Sequence, residues 1–231
     1  MGDSDSTERG SRPVTPLESL GVLASQEVSI TESLRHLELY TTRGLLSILW
    51  HGTGDERVAL LCCGGAMGGV LGPGTGLYHE LGCRLPQLGV GVLRVGYRRP
   101  NDLDLCCVDL AAAVQLAVGH GADKVVLAGH SFGGAVAIRV GVGLADMVAG
   151  VVTFATQSAG CEVAGGLAGR PFLLFHGDRD EILPLDASAI VREISGTGEL
   201  VVLPGDGHML AKSMDVLVER TTEFVACALG V

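Results

Sequence analysis

Short apolar runs of strand length, separated by stretches of helical character, constrain this chain more than any other feature. "RVALLCC" (57–63), "GVGVLRVGY" (89–97), "KVVLAG", "MVAGVVTFAT", "RPFLLFHG" and "ELVVLPG" are each bounded by glycine, proline or polar residues. Between them lie "GLYHELGCRLPQLG", "LDLCCVDLAAAVQLAVGHG", "GGAVAIRVGVGL" and "ASAIVREIS", with a last helix expected near 211–228. Strands that alternate with helices predict an α/β domain: a mostly parallel, twisted sheet with helices on both faces. The strands are apolar throughout rather than alternating, which fits burial on both sides. Upstream, "LRHLELYTTRGLLSILWHG" alternates around a turn, with Leu37 and Leu39 followed by Leu45, Ser47 and Leu49. This predicts an N-terminal β-hairpin. No internal repeat of fixed period stands out.

The 231 residues suit a single domain of this class, and a 47% apolar content supplies a real core. We place that domain over residues 31–231. Residues 1–30, rich in Ser, Thr, Glu and Pro, read as a flexible tail. Their start, "MGDSDSTERGSRPVTP", has no apolar core of the kind a secretory signal needs. Lys and Arg number 16 against 26 Asp and Glu, a net charge of −10. That balance argues against a nucleic-acid partner and against docking on anionic membranes. The longest apolar tract, around "GHSFGGAVAI", is interrupted by His130, Arg139 and Asp146 and does not read as a membrane span. None of the seven cysteines sits in a C-x-x-C pair, so we read them as reduced core residues of a cytoplasmic protein.

Ligands of open parallel sheets bind beyond the carboxyl ends of the strands. Four segments fall at such ends: "CCGGAMGG", "GHSFGG", "HGDRDEILP" and "PGDGHML". The second contains Gly129-His130-Ser131-Phe132-Gly133, a G-x-S-x-G pattern. Its serine is either a helix N-cap or a nucleophile held out on a sharp strand-to-helix turn, where only glycine avoids a clash on either side. In the second case the Phe132 amide, at the helix start, points toward a developing oxyanion. A serine hydroxyl needs a base and the base needs an orienting acid. His208 is the candidate base, and Asp178 and Asp180 are the candidate acids.

With serine, acid and histidine in this order, the sequence resembles the α/β-hydrolase superfamily from about residue 33 onward. It is most similar to the small lidless branch of serine esterases and dienelactone-hydrolase-like proteins. The resemblance implies Asp180 as the acid, because "HGDRDEILP" is similar to H-G-x-x-D-x-x-x-P, and leaves Asp178 as a turn residue. Gly207-His208 falls on the family's G-H pair. The first strand end departs from the pattern: Cys63-Gly64 stands where relatives carry His-Gly. Gly65 is then the expected second oxyanion donor, with Gly64 and Ala66 as neighbouring choices. "GGAMGG" does not satisfy the dinucleotide pattern G-x-G-x-x-G.

Other residues take lesser roles. Cys62 and Cys63 are expected to be buried strand residues rather than reactive thiols, His130 to be structural, and His176 to support the acid loop. His36, His51, His79 and His120 lack metal-ligand spacing, and neither metal nor cofactor is expected. Met67, Tyr78, Phe132, Thr156, Gln157 and Met209 border the strand ends as candidate pocket residues. The stretch from Gln157 to Gly169 is too short for a cap domain, which favours small or soluble acyl groups. The expected activity is hydrolysis of a carboxylic ester or thioester through an acyl-enzyme, with a small molecule as the partner. The alternative is a non-catalytic ligand- or partner-binding protein on the same fold.

Overall fold

The computed structural model of the chain describes residues 14–231. After a single helical turn, α1 (Pro16–Ser19), come β1 (Val22–Thr31), β2 (Leu34–Thr41), β3 (Gly44–His51) and β4 (Val58–Cys63). Strands and helices then alternate: α2 (Leu77–Arg84), β5 (Val90–Gly96), α3 (Leu103–Gly119), β6 (Lys124–His130), α4 (Phe132–Gly143) and β7 (Val148–Phe154). The chain ends with β8 (Phe172–Gly177), α5 (Asp186–Ser195), β9 (Glu199–Leu203) and α6 (Met214–Leu229). All nine strands join one sheet in the order β1-β2-β3-β5-β4-β6-β7-β8-β9. Pairings from β1 through β3 to β5 are antiparallel, and those from β5 through β4 to β9 are parallel.

Successive residues of the central strands serve opposite faces, as the pleat requires. Ala59, Leu61 and Cys63 of β4 and Val125 and Leu127 of β6 pack in one cluster with α3 and α4. Leu60, Cys62, Val126 and Ala128 pack in the other, with α2 and α6. This two-sided burial is why the strands read as unbroken apolar runs. Among the described residues, no helix is long and apolar enough to cross a membrane.

The N-terminal region departs from expectation in two ways. The expected hairpin is a three-stranded meander, because residues 22–30, assigned above to a flexible tail, form β1 with Thr31 along the sheet edge. Every residue of β1 is exposed, so nothing in its apolar pattern announces a strand; its order comes from the backbone ladder to β2. Just before it, α1 is fixed by a reciprocal cap between Thr15 and Glu18 and by the bond from the Leu17 amide to Gln115 Oε1 (2.7 Å). The flexible-tail reading of residues 1–13 lies outside the described residues. The second difference is register. Thr41 pairs with Gly44 at the β2–β3 turn, which sets Leu39 opposite Leu46 and Leu37 opposite Ile48. The core face of β3 is therefore Leu46, Ile48 and Trp50, not Leu45, Ser47 and Leu49.

Candidate active site

β4, β6, β8 and β9 run parallel, so the four segments singled out in the sequence meet beyond one edge of the sheet. At the end of β6 the chain turns through Ser131 directly into α4. Ser131 has φ 56° and ψ −118°, a strained conformation for a residue with a side chain, and its amide is held by Phe154 O at 2.8 Å. A Cβ on Gly129 would run into the Gly133 carbonyl, and one on Gly133 into the Gly64 carbonyl. The glycines are therefore required by close backbone approach. Although Ser131 occupies the N-cap position of α4, its side chain makes no capping bond. The helix-cap reading of the serine thus fails. Phe132 opens α4, and its amide has no partner within the helix.

The acid and the histidine are joined directly. His208 Nδ1 lies 2.8 Å from Asp180 Oδ2, so Nδ1–H donates and Nε2 is left as the basic nitrogen. Asp180 Oδ1 accepts the Ile182 and Leu183 amides, both at 2.8 Å. Its Oδ2 has a second neighbour in His176 Nε2, at 3.2 Å. His176 is fully buried; Nε2 also faces Leu183 O (3.1 Å), and Nδ1 accepts from the Ser188 hydroxyl (2.7 Å). Burial alone would raise the Asp180 carboxyl, but the Leu183 amide, His208 and the Ile182 amide outweigh it and hold the group below its ordinary value. Asp178 plays the turn role expected of it, accepting the Gly205 amide at 2.6 Å and tying the β8 and β9 loops together.

Two further contacts place the His208 backbone. Its amide donates to Glu181 Oε2 (3.2 Å) and its carbonyl accepts from His130 Nε2 (3.1 Å). Burial lowers the His130 pKa to about 4, so its ring is neutral near pH 7. The Glu181 and Ser188 contacts escaped sequence reasoning. Glutamate and serine at unremarkable loop and helix positions carry no signal of their own.

Ser131 and His208 line one cavity of about 540 Å³. No hydrogen bond joins Ser131 Oγ to His208 in this structure, a common state of unliganded sites. Opposite them, the loop after β4 brings Gly65 against the serine: a Cβ there would lie 3.5 Å from Ser131 Cβ. Gly64 and Ala66 also border the cavity, and Gly68 closes a tight turn by donating to Gly65 O (2.9 Å). Of the candidate pocket residues, Met67 and Met209 line the cavity. Tyr78 is buried and donates to Cys63 O (2.9 Å), Phe132 packs edge-on against Tyr97, and Thr156 is buried beside Gly134. Gln157 donates to Ala159 O. None of these four lines the cavity, whereas Leu71 and Ile182, which sequence reasoning passed over, do. Cys62 and Cys63 are completely buried, and burial pushes the Cys63 thiol up to about 12, so neither is a poised thiolate.

The connection from β7 to β8 holds one short 3₁₀ turn, Ala164–Leu167; Ala164 and Leu167 of this turn and Cys161 before it pack into the core rather than over the cavity. Among the described residues, none forms a lid over the site.

No protein-family model matches the chain, and no curated protein matches it. Solved structures do. A dienelactone hydrolase from Anabaena variabilis superposes with a TM-score of 0.72 at 16% identity, over 89% of this chain and 99% of that one. Est1E from Butyrivibrio proteoclasticus gives 0.69 at 17% identity, over 85% and 99%. XC6422 from Xanthomonas campestris, described as an α/β serine hydrolase without lid, gives 0.68 at 19%, over 88% and 99%. Sheet order, strand-end loops and these superpositions together give the chain the α/β-hydrolase fold in its lidless form.

Proposed function

We propose that the chain is a serine hydrolase that cleaves a carboxylic ester or thioester. The observation that carries this reading is the uncapped, strained Ser131 sharing a cavity with a histidine whose far nitrogen is bound by a saturated carboxylate. Ser131 Oγ attacks the substrate carbonyl while His208 Nε2 takes its proton, and Asp180 stabilises the imidazolium. The Phe132 and Gly65 amides receive the oxyanion, each donor being worth about 3 kcal/mol of barrier. Collapse expels the alcohol or thiol, protonated by His208. Water then attacks the acyl-enzyme by the same steps and releases the acid. The names of the superposed structures support esterase chemistry. The absence of a lid favours small or soluble acyl groups, and seven free thiols favour a reducing, cytoplasmic setting.

One observation favours the alternative of a binding protein on this fold: Cys63-Gly64 stands after β4 where hydrolase relatives carry His-Gly. Fluorophosphonate labelling separates the two. Activated serine gives an adduct at Ser131 that is lost in His208→Ala; correctly folded protein that takes no label overturns the hydrolase reading.

A further inference from the structure

The cavity wall divides by chemistry. Its polar side chains are Ser131, His208 and the neutral His130, and its lining contains no Asp, Glu, Lys or Arg. Around the mouth stand large apolar side chains that water reaches: Met67 is 95% exposed, Ile182 64%, Leu71 60% and Met209 46%. Four such residues gathered at one opening, on a chain of net charge −10, form an apolar patch with a purpose beyond packing.

Among the described residues, no cation lines the cavity. Arg94 is 4% exposed, its Nη1 donates to Val70 O (3.4 Å) and its Nε has no partner, but it stands behind the wall: Val70 lines the cavity and Arg94 does not. Arg179 and Lys212 line a separate cleft beyond the His208 loop, where Lys212 Nζ donates to Gly205 O (2.6 Å). Glu181 and Asp180, behind His208, add negative charge to that side.

From this we infer that the site selects neutral acyl esters with an apolar end and rejects acyl groups that carry a terminal carboxylate. The inference rests on the hydrolase reading and names its substrate class. A carboxylate entering this wall would shed water without gaining a cationic partner, whereas a branched alkyl end of the same shape would bury against Leu71, Ile182 and the methionines.

The test compares phenyl 4-methylpentanoate with phenyl hemisuccinate, which share a leaving group and differ by an isopropyl end against a carboxylate of the same shape. Turnover is followed by phenol release in the intact chain. Binding of the unreacted esters to Ser131→Ala is measured by calorimetry. The neutral ester should be favoured by about tenfold or more in both kcat/KM and affinity. Leu71→Lys should narrow the gap by about tenfold, through KM for the anionic ester. Equal or better binding of the hemisuccinate to Ser131→Ala would overturn the inference; loss of that binding in Arg94→Met would then name its source. Neutral preference in binding with no turnover sustains the substrate class and overturns the hydrolase reading. Turnover without preference does the reverse.

Discussion

The two sides of the cavity are built by opposite rules. Beyond β8 and β9, every oxygen of Asp180 is committed, His176 is pinned at both nitrogens, and His208 is held by backbone and side chain alike. Beyond β4, the wall is a run of glycines carrying one almost fully exposed methionine, Met67, and its order comes from backbone turns. On the proposed hydrolase reading, the difference follows from what each side does. Proton transfer needs hydrogen-bond distances held to fractions of an ångström, while a wall that receives an apolar group needs only shape and dryness.

The largest effect should come from the tight side. Asp180→Asn keeps the shape but leaves His208 without a carboxylate, and kcat should fall by about 10³ to 10⁴. Met67→Ala, on the other side, should move KM by less than about threefold. Ester kinetics on the two variants break the comparison if the losses are alike. Ser188→Ala sharpens it: by removing the donor to His176 Nδ1 it should lower kcat about fivefold at constant KM.

Backbone changes should rank the same way. Gly133→Ala drives a methyl into the Gly64 carbonyl and should cost about 3 kcal/mol or more of stability. Gly69→Ala meets nothing within 4 Å and should cost about 1 kcal/mol, from its φ of +90° alone. Denaturant midpoints measure both.

The smallest effect concerns pH. Burial lowers His130, at the border of the tight side, and His51, far from it, to about 4 from an ordinary 6.5. Unfolded chains bind these protons first, so stability should be full above pH 6.5, decline as pH falls toward 4, and level off below. Each histidine should contribute on the order of 1 kcal/mol to that decline. His51→Gln should remove part of the slope in denaturant midpoint against pH and leave the His130 share intact.

How much of this was legible in the sequence depended on whether local pattern and tertiary role agreed. β4, β6, β7 and β8 are buried on both faces, and continuous apolar runs announce that directly. β1 is exposed along its whole length, so its composition matches a tail and only its partner strand defines it. β3 is apolar on both faces, and the β2–β3 turn, not the pattern, chose which face went inward. At the site, the placement of Asp180 beside His208 was legible because both lie in short segments at strand ends. The pocket wall was not, since Leu71 and Ile182 acquire their place only when loops from separate strands converge.

The sheet order has a consequence in time as well as in space. β1, β2 and β3 pair with their sequence neighbours, whereas β4 enters the sheet between β5 and β6, and β6 pairs with β4 across an intervening strand and two helices. Local pairings close short loops and form quickly; long-range ones wait for chain that lies far away. Ser131 depends on the second kind through β6, whereas Asp180 and His208 follow β8 and β9, which pair with consecutive strands. The cavity joins the β4 loop to Ser131, so it closes only once β4 stands between β5 and β6, and a molecule recovering from denaturation should regain much of its secondary structure before it regains a place to bind.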